Sequence, residues 1–148
     1  MAISSGPRSS KSAHIARIAI DYTAAIQQAV TARRLDLGGG LHATEHACIA
    51  ILPLLTMADR NDIGGLSTAE HPDTGCAEVF IYDGYPGGVG IARKGFELVT
   101  ELWQRTLALV RECPCDVGCP SCVYSPKCGN NNEPMDKAAA QVILAGLL

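Results

Sequence analysis

The stretch "CPCDVGCPSCVYSPKCGNNNEPMDK" (residues 113–137) holds five of the chain's seven cysteines, spaced C-x-C-x3-C-x2-C-x5-C. Under reducing, cytosolic conditions thiols stay free, so this density favours metal ligation over disulfides. Zinc suits such a segment because it takes four thiolates tetrahedrally, and the two-residue spacer between Cys119 and Cys122 lets both sulfurs reach one ion. The segment therefore predicts a structural Zn2+ site, with an iron–sulfur cluster as the main alternative.

Five cysteines compete for four positions around that ion. Cys119 and Cys122 rank first and Cys115 next, whereas two others are harder to rank. Cys113 is the last residue of a long predicted helix, and Cys128 lies in the turn sequence "PKCGN". The predicted ligands are thus four of these five cysteines. Four protein sulfurs leave no open coordination position, which predicts a structural rather than a catalytic metal.

The overall composition is that of an ordinary globular domain. The 148 residues are 47% hydrophobic and 18% charged, and the formal net charge is −3, which gives no overall attraction to nucleic acid or anionic membrane. The apolar run "ACIAILPLL" (residues 47–55) is shorter than the roughly 20 residues of a membrane-spanning helix. The N-terminus lacks the apolar region of a secretion signal. We expect a soluble, cytoplasmic protein with no membrane partner.

Hydrophobic periodicity predicts four helices. Residues 1–12 have no hydrophobic periodicity, which predicts a flexible arm, and residues 13–148 are predicted to form a single domain. Apolar residues recur every three or four positions over 14–34, which predicts an amphipathic helix ended by "DLGGG" (36–40). Further helices are predicted over 41–57, bent or ended by Pro53, over 91–113, and over 135–148, where Asn132 or Glu133 and Pro134 start the helix.

The clearest strand is "AEVFIYD" (residues 77–83), because it is rich in β-branched and aromatic residues and is bounded by turn formers. The preceding segment, residues 59–75, is rich in turn formers and predicts a surface loop. Together these elements predict an α+β fold, in which helices pack around a small sheet and the zinc-binding loop precedes the C-terminal helix.

A second possible metal site lies in "HATEH" (residues 42–46). On a helix, His42, Glu45 and His46 share one face, in the H-x-x-E-H order of inverted zincin metallopeptidases. Such an enzyme needs a third protein ligand, for which Glu97 or Glu101 would have to serve. The simpler interpretation is a helix start whose histidines satisfy local hydrogen bonds.

A glycine turn, "YDGYPGGVG" (residues 82–90), follows the predicted strand. It lacks the lysine of a nucleotide-binding loop, so close packing between strand and helix is the favoured interpretation. Asp83, at the strand's end, is either a catalytic acid or a turn-forming side chain.

Four separated motifs, "GLHATEHACIAILPLL", "DIGG", "VFIYDGYPGGVGIA" and "CPCDVGCPSCVYSPKCGNNNEPMDKAAAQVIL", occur in this order over residues 40–148. Together they resemble the four-cysteine zinc-binding domain at the C-terminal end of superfamily 2 DNA helicases of the mitomycin-repair type. The resemblance implies an accessory domain of an ATP-dependent DNA-unwinding enzyme that acts in DNA repair. It maps the family's cysteine motif onto Cys113, Cys115, Cys119 and Cys122, with Cys128 as an additional member.

The chain has no Walker A motif and no room for two motor domains, so we expect no unwinding by this chain alone. The resemblance implies a helicase motor as partner and DNA contact through that partner. The expected function is a non-catalytic structural-zinc domain that supports DNA handling or motor architecture. Two alternatives stay open: a freestanding metallohydrolase using the H-x-x-E-H helix, and a zinc-stabilised protein interaction module.

Overall fold

The computed structural model describes residues 17–19 and 24–148 of the chain. Within them the helices and strands are β1 (Arg17–Ala19), α1 (Ala24–Ala32), α2 (Leu37–Thr56), β2 (Ile63–Thr68), β3 (Glu78–Asp83), α3 (Ile91–Glu97), α4 (Val99–Glu112) and α5 (Lys137–Gly146), with one 3-10 turn at Arg60–Asp62. This confirms the predicted α+β fold. The predicted arm over residues 1–12 lies outside the described residues. Within the described part, every helix is too short or too polar to cross a bilayer.

The three strands form one antiparallel sheet in the order β1-β3-β2. Ile18 of β1 pairs with Ile81 of β3, and Ile63 of β2 pairs with Asp83. β3 therefore lies in the middle, and five of its six residues are buried. A strand paired on both edges and buried along its length selects β-branched and aromatic side chains, which is why it was the clearest strand in the sequence.

Helix α2 is the centre of the fold, because it contacts α5, α4 and the sheet. Every residue from Gly39 to Ile49 is buried. The carboxylate of Asp36 caps its N-terminus by accepting a hydrogen bond from the Gly38 N–H at 3.0 Å. The prediction that "DLGGG" ends the preceding helix was therefore wrong, since this segment starts α2. Pro53 does not end the helix, which continues to Thr56.

Two further predictions are corrected by the sheet. Residues 17–19, predicted as helix, form β1, because the free edge of β3 offers backbone hydrogen bonds that outweigh a helical spacing of apolar residues. The predicted loop over residues 59–75 contains β2, which was not recognised as a strand because two of its six residues are glycines. A Cβ on Gly65 would lie 2.7 Å from Oε1 of Glu45 in α2, so glycine lets β2 run close to that helix.

The predicted long helix over residues 91–113 is divided at Leu98 (φ −106°, ψ 21°) into α3 and α4. The described residues consequently form five α-helices where four were predicted, and Gly95, a poor helix former, precedes the break. The predicted start of the last helix is also corrected. Its N-cap is Asp136, which accepts from the Ala139 N–H at 2.9 Å and also from the Asp36 N–H at 2.9 Å. The starts of α2 and α5 are thereby joined.

Candidate metal centre

Four sulfur atoms meet in the loop between α4 and α5. The Sγ atom of Cys113 lies 3.6 Å from that of Cys115 and 3.5 Å from that of Cys119. The sulfur of Cys122 lies 3.5 Å from Cys115 and 3.8 Å from Cys119. Four thiolates about 2.3 Å from a tetrahedral zinc ion are about 3.8 Å from one another. The separations therefore fit one zinc ion.

A tight turn makes this arrangement possible. The backbone N–H groups of Cys122 and Tyr124 both donate to the carbonyl oxygen of Cys119, at 3.1 Å each. Gly118 has a positive φ of 141°, and a Cβ there would lie 2.7 Å from the Tyr124 ring. Glycine is thus required before the first cysteine of the C-x2-C pair.

The thiols of this cluster differ in acidity. A hydrogen bond from the backbone of Ser121 and further contacts from neighbouring cysteines lower the pKa of the Cys119 thiol to about 7. Burial raises the pKa of the Cys122 thiol to about 12. A thiolate therefore forms more readily at Cys119 than at Cys122, and a bound cation would displace the protons of the cluster.

Lys137, the first residue of α5, completes the cluster. Its side chain is only 5% exposed, and its Nζ atom donates to the carbonyl oxygens of Cys113, at 2.7 Å, and Cys115. Burial lowers the lysine pKa, but the hydrogen bond to Cys115 and the surrounding thiolate charges raise it above its usual value overall. Zinc with four thiolates has a net charge of about −2, which this ammonium partly offsets. Lys137 was not among the residues predicted from the sequence, where its one signal is a single cation at the start of an apolar helix.

Cys128 lies outside the four-sulfur cluster. Its Sγ atom is 3.3 Å from Nε2 of His42, and it groups with His42 and His46, with one ligand atom of each residue within 4.8 Å of the others. The structure thus divides the five candidate cysteines into four that converge on one point and one that contacts histidines of α2.

The "HATEH" residues lie together, as the helical spacing predicted. His42, Glu45 and His46 are buried and line a cavity of about 540 Å³ beside β2, and the two imidazole centroids are 4.3 Å apart. Burial raises the pKa of Glu45 and lowers that of His46. The suggested third ligand was wrong: Glu97 and Glu101 are surface residues that pair with Lys94 at 3.4 Å and Arg105 at 2.7 Å.

Asp83 has the geometry of a turn-forming side chain. It is 4% exposed, and its carboxylate accepts hydrogen bonds from four consecutive backbone N–H groups. These donors are Val89, Gly90, Ile91 and Ala92, at 2.6, 2.7, 3.2 and 2.7 Å. The carboxylate therefore fixes the glycine loop and the start of α3, and it belongs to neither group of metal-binding side chains.

A closed four-thiolate loop on a helix-and-sheet scaffold defines a zinc-binding domain whose metal is structural. Residues 44–123 match the family described as MrfA Zn-binding domain. The chain belongs to this family, which is an accessory zinc-binding domain of MrfA-type helicases, and its cofactor is Zn2+. The resemblance drawn from the sequence is thereby confirmed.

The chain is similar to both short and long proteins. It is 41% identical over 111 residues to an uncharacterized protein of Methanocaldococcus jannaschii, which covers 73% of this chain and 99% of that protein. It is 40% identical over 73 residues to the uncharacterized ATP-dependent helicase YprA of Bacillus subtilis, covering 49% of this chain and 10% of the helicase.

Among solved structures, the chain is similar to the DUF1998 helicase MrfA bound to DNA, with a TM-score of 0.64 and 30% identity over 76% of this chain and 14% of that one. The chain thus spans nearly all of the archaeal relative but only a small part of the helicases.

Proposed function

We propose that the chain is a non-catalytic structural-zinc domain that supports the architecture or DNA handling of a helicase motor, and that Cys113, Cys115, Cys119 and Cys122 bind its zinc ion. The observation that carries this proposal is the convergence of four sulfurs at separations of 3.5 to 3.8 Å. A site closed by four thiolates has no position for substrate, so the metal supplies stability rather than reactivity.

The metal would act by holding the C-terminal helix in place. The cysteine loop joins α4 to α5, and α5 packs against α2, the central helix. Zinc would cross-link the loop at its base, while Lys137 ties α5 to the same cysteines. The zinc site would therefore give the domain one rigid surface to present to a partner.

The partner in this proposal is an ATP-dependent DNA helicase motor of superfamily 2, with a role in DNA repair in the cytoplasm. The similar proteins YprA and MrfA are both described as helicases, and MrfA has a crystal structure in which it is bound to DNA. In the archaeal relative the matched region covers 99% of the protein. In that relative the domain therefore makes up nearly the whole protein, which supports a unit that folds without an attached motor. A net charge of −3 favours DNA contact through the motor rather than by this chain alone.

The test is affinity capture with the zinc-loaded chain, followed by an unwinding assay with the captured motor. Wild type is expected to retain a superfamily 2 helicase and to increase its unwinding rate, whereas Cys119→Ser should lose both effects. Cys76→Ser, which removes an exposed thiol outside both clusters, is the matched control. Failure to retain any helicase, together with no effect on unwinding, would reduce the domain to a zinc-stabilised interaction module.

A further inference from the structure

We propose that His42, His46 and Cys128 form a second transition-metal site, suited to Zn2+ and separate from the four-cysteine cluster. The three side chains come from two distant segments: the histidines lie on adjacent turns of α2, and the cysteine lies in the loop before α5. One ligand atom of each lies within 4.8 Å of the others. Imidazole and thiolate are the ligands that zinc prefers in proteins.

The hydrogen bonds of both imidazoles leave the same ring nitrogen, Nε2, to bind a metal. The Nδ1 atom of His42 lies 2.8 Å from the Pro134 carbonyl oxygen, and Nδ1 of His46 lies 2.8 Å from that of Val123. A carbonyl oxygen can only accept, so each Nδ1 must carry a hydrogen, which makes Nε2 the atom of each ring that can bind a metal. Metal-binding histidines almost always donate their other ring N–H in this way.

The sulfur of Cys128 is placed and supported as a third ligand. Its 3.3 Å separation from Nε2 of His42 is close to the roughly 3.6 Å expected for nitrogen and sulfur ligands on a tetrahedral zinc ion. The backbone N–H of Asn132 donates to the same sulfur at 3.3 Å and so helps to hold it in place.

The loop that carries Cys128 is fixed by its asparagines. Asn131 and Asn132 have positive φ values of 56° and 59°, a conformation that asparagine tolerates and that turns the chain back toward the sulfur. The Asn132 side chain accepts from the Ser125 N–H at 2.7 Å and donates to the Ser125 carbonyl oxygen at 3.2 Å. These hydrogen bonds hold the loop closed without a metal ion.

A hydrogen-bonded pair of Cys128 and His42 without metal is the simplest competing explanation. That pair accounts for the contact between sulfur and Nε2. It gives no reason for the matching arrangement at His46, whose Nδ1–H is also committed to a backbone carbonyl and whose ring lies 4.3 Å from that of His42. A shared metal ion uses the lone pairs of both rings.

Three protein ligands would leave a fourth tetrahedral position open. All three side chains line the cavity of about 540 Å³, which Glu45 and Ser67 also line. Water or a small anion is the class of ligand that fits this position. The second site would therefore differ in kind from the closed four-cysteine site, and it would fasten the loop before α5 to the central helix.

Metal content per chain, measured on the full chain after zinc loading and dialysis, tests the proposal. We expect two zinc ions in wild type and one in His42→Ala and in Cys128→Ser, while His71→Ala, which removes a histidine outside both groups, keeps two. Cys119→Ser should lose both ions, because the loop that carries Cys128 depends on the four-cysteine site, whereas the loss of a single ion in His42→Ala and Cys128→Ser belongs to this site alone. One zinc ion in wild type, or two in His42→Ala, would overturn the proposal.

X-ray absorption at the zinc edge on the unmutated chain removes any dependence on variant folding. Two sites predict imidazole nitrogen together with sulfur in the first shell of the zinc ions. A shell of sulfur alone would overturn the second site while leaving the four-cysteine site intact.

Discussion

The Nζ atom of Lys137 lies 3.3 Å from the Sγ atom of Cys115, across 22 positions of sequence. The same ammonium donates to the carbonyl oxygens of Cys113 and Cys115, so one buried cation neutralises thiolate charge and satisfies two backbone acceptors. The first residue of α5 is therefore part of the zinc site, and metal binding and helix docking depend on each other.

Replacing Lys137 by methionine tests this dependence. Lys137→Met keeps the length of the side chain but removes the charge beside the thiolates, so zinc affinity should fall by at least about tenfold, as is usual when a residue that supports metal ligands is changed. Competition with a colorimetric zinc chelator gives the affinity. Lys94→Met, which alters an exposed lysine of α3, should bind zinc like wild type. Equal affinities for both variants would mean that Lys137 is only a packing residue.

Removal of zinc should unfold at least the C-terminal third of the chain. The four thiolates repel one another without a cation between them, so the binding energy of the metal is also folding energy. Chelation with EDTA should reduce the helical circular dichroism signal and lower the melting temperature, and added zinc should restore both. An unchanged melting curve after chelation would contradict a structural role for the metal.

Acidification should release the same zinc ion. The pKa of Cys119 is lowered to about 7 in the fold, so its thiolate contributes stability above its usual pKa, and that contribution is lost as the pH falls through about 7. Bound metal extends retention below this value, because zinc competes with protons for the sulfurs. A zinc indicator dye should report an intact site at pH 7.5 and released zinc at pH 5. A zinc content that stays unchanged on further acidification, down to about pH 3, would contradict thiolate ligands, because protons displace zinc from thiolates at low pH.

Asp83 should contribute to stability through the glycine loop. Asp83→Ala leaves four backbone N–H groups without their acceptor, and we expect the free energy of unfolding to fall by about 2–4 kcal/mol. Urea denaturation measures the change. Asp73→Ala, at an exposed position, should stay within about 0.5 kcal/mol of wild type. An equal loss of stability in the two variants would contradict a specific contribution of the Asp83 carboxylate to the glycine loop.

The sequence predicted the features that depend on local spacing. The C-x-C and C-x2-C steps bring sulfurs together through one turn, so zinc and most of its candidate ligands could be inferred without the fold. The strand around Ile81 was recognisable because its residues suit burial, and the shared face of His42 and His46 follows from the helical period.

Features that depend on distant contacts were not predictable in this way. Cys128 meets His42 across 86 positions, and no spacing in the sequence relates them. β2 was missed because Gly65 is a poor strand former. Glycine is needed at this position because the Glu45 side chain of α2 lies too close to leave room for a Cβ. The burial of Lys137 was not predictable either, because it depends on the folded cysteine loop.

The two cysteines outside both clusters should react very differently with thiol reagents. Cys48 is fully buried in α2, and burial raises its pKa to about 12, whereas Cys76 is exposed. Because the thiolate is the reactive species, iodoacetamide at pH 8 should label Cys76 in the folded, zinc-loaded chain and leave Cys48 unmodified. Peptide mass spectrometry locates the label, and the denatured chain is the positive control. Rapid labelling of native Cys48 would show that α2 opens readily.

The close approach of α2 and α5 should depend on Gly40. A Cβ at this position would lie 2.5 Å from the Cβ of Ala139 and 2.9 Å from Cδ1 of Ile143, so Gly40→Ala should cost about 1–3 kcal/mol through overpacking. Gly38→Ala is the matched control, since its Cβ would lie 3.5 Å from the nearest neighbour, Oδ1 of Asp36, which is ordinary contact.

Because helix propensity favours alanine over glycine, the control variant should be unchanged or stabilised by up to about 1 kcal/mol. Urea denaturation of the zinc-loaded chain measures both variants. In the double variant Gly40→Ala/Ala139→Gly the methyl group moves from one helix to the other, so the contact with the Ala139 Cβ disappears and part of the lost stability should return. The close approach to Cδ1 of Ile143 and the cost of a glycine within α5 remain. Equal stability of Gly40→Ala and Gly38→Ala would instead mean that α5 can shift outward freely. The zinc loop would then be the main attachment of α5 to the rest of the fold.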